Sequence, residues 1–179
     1  MDAAADVSGG RMLTLGIDPG ISGALAALDH NGRLVVLDMP TRTRAGSGRT
    51  RNEIDPRRML HMLRDLVPAG ESPIVVMEDM HAFMGDGERV GSMASQASLA
   101  ATKAVISAVF EIAGHTTHLI TPQRWQKFYG IKKREDETTK QQSLRIAREL
   151  YGNAFCPLQK HDGRADAILI ARWAQRHLT

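Results

Sequence analysis

The sequence predicts a mixed α/β fold, and three observations carry that prediction. Short apolar runs at 12–18, 23–29 and 33–38 follow one another with only turn residues between them, as in an antiparallel meander. Further on, apolar runs alternate with helix-patterned segments, as in parallel strands joined by crossovers. Two segments, at about 138–151 and 162–177, read as helices that cover the sheet.

The elements follow in order. Residues 12–18 form a strand ending at Asp18, which is followed by the turn-formers Pro19, Gly20 and Gly23. The strands at 23–29 and 33–38 are joined by "DHNGR", whose Asn-Gly pair is a hairpin-turn signal. The basic segment "TRTRAGSGRTRNEIDPRR" comes next and reads as a loop, with a Gly/Ser/Arg stretch at 44–51. Asp55 and Pro56 open a helix as N-cap and first helical residue, and Met59, Leu60, Leu63 and Leu66 keep helical spacing until Val67-Pro68-Ala69-Gly70. "SPIVVMEDM" is a buried strand that ends on Glu78 and Asp79. A long helix rich in small residues occupies about 92–113 and closes at Gly114. "TTHLITP" is another strand, "PQRWQKFYG" begins a short helix at a proline, and helices follow at about 138–151 and 162–177. The order is β-β-β-α-β-α-β-α-α-α in a single domain over 12–179; residues 1–11 are expected to be a disordered tail without signal-peptide features.

Composition narrows the class of protein. The chain has 179 residues, of which 42% are hydrophobic and 24% charged, an ordinary globular balance. One cysteine, Cys156, excludes an intramolecular disulfide framework and fits a reducing, cytoplasmic setting. No apolar run approaches the ~18 residues of a membrane helix, so no membrane partner is expected. The pI is about 9.3. Its basic residues cluster: Arg42, Arg44, Arg49, Arg51, Arg57 and Arg58 in one segment, Lys132, Lys133 and Arg134 in another. Such clusters attract a phosphate backbone, and either alone also fits a solvated loop.

Four carboxylates fall where an open α/β sheet gathers function. Asp18 and Glu78 end two strands, and neighbouring strands would put them in one crevice. Asp162 and Asp166 are four apart at the start of the last helix, on one helical face. Each also has a plain structural reading, as a turn residue, an N-cap or a strand end. Asp166 fits such a reading least, because "ADAILIA" is otherwise a buried apolar run and a buried carboxylate needs a partner. Taken together, and with no internal cation evident, the four would repel unless a divalent ion neutralised them, and oxygen ligands suit Mg²⁺ or Mn²⁺. Two ions at such a site fit phosphodiester hydrolysis. Gly20 and Gly23 are then expected to clear room for a nucleic-acid backbone beside Asp18.

The motifs "LGIDPGISG", "VVMEDM" and "HDGRADAILIA", in this order over most of residues 12–178, resemble those of RuvC-type Holliday-junction resolvases of the ribonuclease H-like superfamily. The resemblance implies a ribonuclease H-like fold and a metal-binding catalytic tetrad of Asp18, Glu78, Asp162 and Asp166. It also implies Mg²⁺-dependent cleavage of four-way DNA junctions by a homodimer, with paired nicks that leave 5′-phosphate ends, and Mn²⁺ as a substitute ion. Lys127 and Lys140 match basic residues that hold phosphates in the family. Arg49, Arg51, Lys132 and Lys133 are further DNA-binding candidates. His81 or Phe83, in "MHAFMGDGERVG", would stack on bases at the junction centre. His161 is a candidate to assist a water. Two departures stand out: the last aspartates are four apart where the best-known bacterial enzymes have three, and the long basic segment is closer to phage or viral members.

Three rival readings share parts of this pattern. A broader branched-DNA, flap or RNA nuclease would use the same residues. "GIDPGISG" also resembles the first phosphate loop of sugar kinases and actin-like ATPases, whose second domain and second glycine-rich motif have no room here. A silent DNA-binding module would not need all four acidic positions filled.

Overall fold

The computed structural model describes residues 12–45, 50–79 and 93–179. Strands β1 (Leu13–Asp18), β2 (Ala24–Asp29) and β3 (Leu34–Asp38) form the antiparallel meander. Then come β4 (Thr41–Ala45), β5 (Thr50–Ile54), helix α1 (Pro56–Leu66), β6 (Ile74–Glu78), α2 (Met93–Ile112), β7 (Thr117–Ile120), α3 (Pro122–Phe128), α4 (Thr139–Tyr151) and α5 (Asp162–His177). Strand order in the main sheet is β3-β2-β1-β6-β7, and β1-β6 and β6-β7 pair in parallel. The fold expected from sequence is therefore found, with one correction. The basic segment is not all loop: β4 and β5 pair as a separate antiparallel hairpin, whose polar, arginine-rich strands lack the apolar alternation that marks a strand.

Alternation along the strands divides the core in two. Leu13, Leu15 and Ile17 of β1, Leu25 and Ala27 of β2, and Val75 and Met77 of β6 face the cluster that includes Met59, Leu63, Ile106 and Phe110 of α1 and α2. Ala24, Ala26, Leu28 and Val76 face the opposite cluster with Trp125, Leu144 and the apolar side of α5. By the same period-two rule Asp18 and Glu78 belong to the α5 side, one step beyond Gly16 and Val76. Helix α5 rests on β1 with almost no space between them: a Cβ on Gly16 would lie 2.2 Å from the Ala167 carbonyl oxygen.

Helix ends follow the sequence rules. The Asp55 side chain caps the Arg57 and Arg58 N–H groups of α1, and Thr138 with Gln141 forms a capping box on α4. Among the described residues no helix is long and apolar enough to cross a membrane.

Candidate active site

The carboxyl ends of β1 and β6 lie side by side. Gly16 pairs with Val76 and Ile17 with Met77, so the next residues, Asp18 and Glu78, leave the sheet at the same edge. Asp18 turns back on its own loop, with Oδ1 accepting the Gly20 N–H at 3.2 Å. Burial pushes its carboxyl up to about 6, the Gly20 bond opposes the rise, and the nearby Asp162 charge adds to it. Glu78 is buried, and its Oε1 accepts the Trp125 indole N–H at 2.9 Å. Burial pushes Glu78 up to about 7, against the pull of the indole, and the Asp18 charge raises it further.

The first turns of α5 supply the other pair. Asp162 is ion-paired with Lys140 of α4. Asp166 lies one turn further in and is held well above the usual carboxylate range, first by burial; the Ser143 hydroxyl opposes that, and the charges of Asp18, Glu78 and Asp162 add to it. Its Oδ1 has no hydrogen-bond partner among the described residues. Asp18, Glu78 and Asp166 thus each lie within reach of another charge of this group.

The cations correct an expectation. Lys140 pairs with Asp162, and Lys103 of α2 pairs with Asp79 beside Glu78. The acidic cluster therefore has counter-charges from its own chain, and among the described residues no three Asp, Glu, His or Cys side chains are grouped to hold an ion as they stand. Donor chemistry still suits a hard divalent cation: all four groups are carboxylates, three have raised proton affinity, and one buried oxygen is unpartnered.

A Cβ on Gly20 would lie 3.6 Å from Asp18 Oδ1, an ordinary contact beside the carboxylate, whereas Gly23 does a different job from the one expected. A Cβ on Gly23 would lie 2.2 Å from the Asp18 carbonyl oxygen, so this glycine closes the turn itself. Gly163, which sequence reasoning passed over, is the residue crowded against the site. A methyl there would meet Asp18 Oδ2 at 2.7 Å and the Ser22 carbonyl oxygen at 2.7 Å. Arg164 was also passed over. It grips Asp38 at the end of β3 through two bonds of 2.5 and 2.6 Å, tying the start of α5 to the sheet.

The remaining candidates scatter. Lys127 is exposed on α3, two residues from Trp125. Lys132 and Lys133 are exposed on the segment before α4, which buried Gln142 holds through the Lys132 N–H and the Lys132 and Glu137 carbonyls. His161 is at the N-cap of α5 without capping it, and its Nδ1 lies 3.4 Å from the Leu158 N–H. Arg51 is exposed on β5. Arg49, His81 and Phe83 lie outside the described residues.

The five-stranded mixed sheet flanked by helices matches the ribonuclease H-like fold seen in RuvC structures. RuvC from Thermus thermophilus, solved in complex with a Holliday junction substrate, superposes with a TM-score of 0.55 at 16% identity, over 92% of this chain and 96% of that one. A second Thermus thermophilus RuvC structure gives a TM-score of 0.52 at 18% identity, over 94% and 98%. No family model and no curated protein sequence matches the chain.

Proposed function

We propose that this chain is a divalent-metal-dependent DNA endonuclease that resolves four-way junctions. The observation that carries the reading is the group of carboxylates Asp18, Glu78, Asp162 and Asp166 at the carboxyl edge of a RuvC-like sheet, with an unpartnered oxygen on Asp166. These four side chains would hold Mg²⁺, with Mn²⁺ as substitute. Two such ions, when bound, supply an acidified water and charge neutralisation at the leaving 3′ oxygen.

The chain's own residues do the rest. Gly20 and Trp125 fix one oxygen each of Asp18 and Glu78, so these carboxylates are oriented before substrate arrives. Lys140 is ion-paired with Asp162 in the free protein, and a cation held by that carboxylate would leave the ammonium available to a phosphate. Function as a homodimer in the cytoplasm, making paired nicks with 5′-phosphate ends, belongs to the same proposal. The basic hairpin favours kinship with phage- or virus-type members.

Cleavage of an end-labelled, immobile four-way junction in Mg²⁺ or Mn²⁺, beside linear duplex and flap, tests it. Symmetric paired nicks confined to the junction are expected. Equal cutting of flaps or duplex would make the chain a broader structure-selective nuclease. Binding without cutting under both ions would overturn the catalytic assignment.

A further inference from the structure

The β4-β5 hairpin is the element that the main sheet does not explain, and its two faces differ. Cross-strand partners are Thr41 and Ile54, Arg42 and Glu53, Thr43 and Asn52, and Arg44 and Arg51. Directly opposed residues point to the same side of a ribbon and alternate along it, so Arg42, Arg44, Arg51 and Glu53 share one face. The other face carries Thr41, Thr43, Asn52 and Ile54, and Ile54 is buried in the α1-α2 core. That burial turns the arginine face away from the core; Arg42, Arg44 and Arg51 are all exposed.

Local electrostatics count against this arrangement in an isolated protein. Arg44 stands opposite Arg51, and like charges at such a position destabilise a ribbon. A single carboxylate, Glu53, is shared by Arg42 and Arg44. Two more exposed arginines, Arg57 and Arg58, occupy the first turn of α1, where the helix dipole favours anions and Asp55 at the N-cap is the one carboxylate. In residues 41–45 and 50–58 five arginines face two carboxylates, a balance of +3. The whole chain totals +3, so all other residues together sum to zero. The excess positive charge is thus concentrated here, in positions that an external polyanion would relieve.

The hairpin also grows from the candidate site. Asp38, which Arg164 grips, pairs with Ala24, and Ala24 pairs with Asp18. Met39 donates its N–H to the Gly23 carbonyl at 3.1 Å, and Asp55 closes the hairpin root by donating to Pro40 at 2.8 Å. The root is therefore two strand spacings, roughly 10 Å, from Asp18. Five residues of strand extend about 16 Å beyond it, alongside nine or so phosphate charges of a duplex.

We infer that the arginine face of the β4-β5 hairpin is a clamp for the sugar-phosphate backbone of the duplex arm that leads into the active site. The inference rests on the DNA-cleaving reading above and names the part of the substrate this element holds. Arg42, Arg44 and Arg51 track phosphates along the arm and read no sequence.

The test measures junction affinity by fluorescence anisotropy from about 50 to 200 mM salt, on an Asp18→Asn background. It compares the parent with the triple variants Arg42→Gln/Arg44→Gln/Arg51→Gln and Arg42→Lys/Arg44→Lys/Arg51→Lys, all with matched thermal melting. Loss of about three phosphate contacts lowers the slope of log affinity against log salt by about 2–3 for the glutamine variant and weakens low-salt binding about tenfold or more, while the lysine variant keeps the parent slope. The effect should be the same for arms of different sequence. An unchanged slope in the glutamine variant overturns the clamp while the nuclease reading stands. Loss of binding to phosphatidylserine-containing vesicles with DNA binding intact would also overturn it, in favour of a membrane-facing role. A parent that binds no junction at all removes both readings together.

Discussion

The indole N–H of Trp125 donates a 2.9 Å hydrogen bond to Glu78 Oε1, joining α3 to the end of β6 in the protein interior. Both partners are buried, so neither has water as an alternative. Trp125→Phe keeps an aromatic ring and leaves the carboxylate oxygen without its donor. Unfolding free energy should fall by about 1–3 kcal/mol in denaturant titrations at pH 8. If Glu78 works as proposed, junction cleavage should fall more steeply than junction binding; equal stability and cleavage in the variant would deny the bond any role.

Three carboxyls with raised proton affinity make metal-free stability depend on pH. Asp18 rises from 3.8 to about 6 and Glu78 from 4.5 to about 7, both because burial disfavours the charged form, and Asp166 is raised as well. The folded state therefore holds protons that the unfolded chain has already released. Their contribution is fully present below about pH 4 and is lost as pH rises through 6 and 7. Melting temperature in EDTA should accordingly decline between pH 5 and about 8, and Asp18→Asn, which removes one of these groups, should flatten the decline. A wild-type profile that rises over this range would contradict the assignment.

Divalent ions should oppose that loss. An ion that binds only the folded chain adds about 2.7 kcal/mol at a hundred times its dissociation constant. Mg²⁺ or Mn²⁺ should raise the melting temperature of wild type at pH 8 and raise it much less in Asp18→Asn or Asp166→Asn. Chelation should abolish cleavage and leave the fold intact by circular dichroism.

Gly163 separates α5 from the Asp18 turn by less than a methyl group. Gly163→Ala forces the helix or the turn to move, at a cost of about 1–3 kcal/mol of stability. Because the displaced atom is an Asp18 carboxylate oxygen, activity should fall even where the variant remains fully folded, as a comparison of melting curves with cleavage rates would reveal.

Much of this was legible in the chain because the relevant signals are local. Short, largely apolar runs in Leu13–Asp18 and Ile74–Glu78 identify buried strands and put a carboxylate at the end of each. The i, i+4 spacing of Asp162 and Asp166 puts both on one side of α5. What stayed hidden depends on distant partners. Trp125 is a core residue whose hydrogen bond reaches 47 positions back along the chain, to a partner no local pattern marks. Arg164 finds Asp38 across 126 positions, and Lys140 finds Asp162 only once α4 lies against α5. The β4-β5 hairpin went unread because Ile54 is its only large apolar residue among the described positions.

The contact of α5 with Gly16 governs how this protein can vary. Where the Ala167 carbonyl and the Ala171 amide press on a strand without a side chain, the gap between helix and sheet is set by main chain against main chain. Enlarging or shrinking neighbouring core residues then redistributes packing around a fixed seam. Asp18 lies two residues beyond Gly16 on the strand and Asp166 one residue before Ala167 on the helix, so this main-chain seam fixes how the acidic pair is offered to the site, whatever the size of the surrounding apolar side chains.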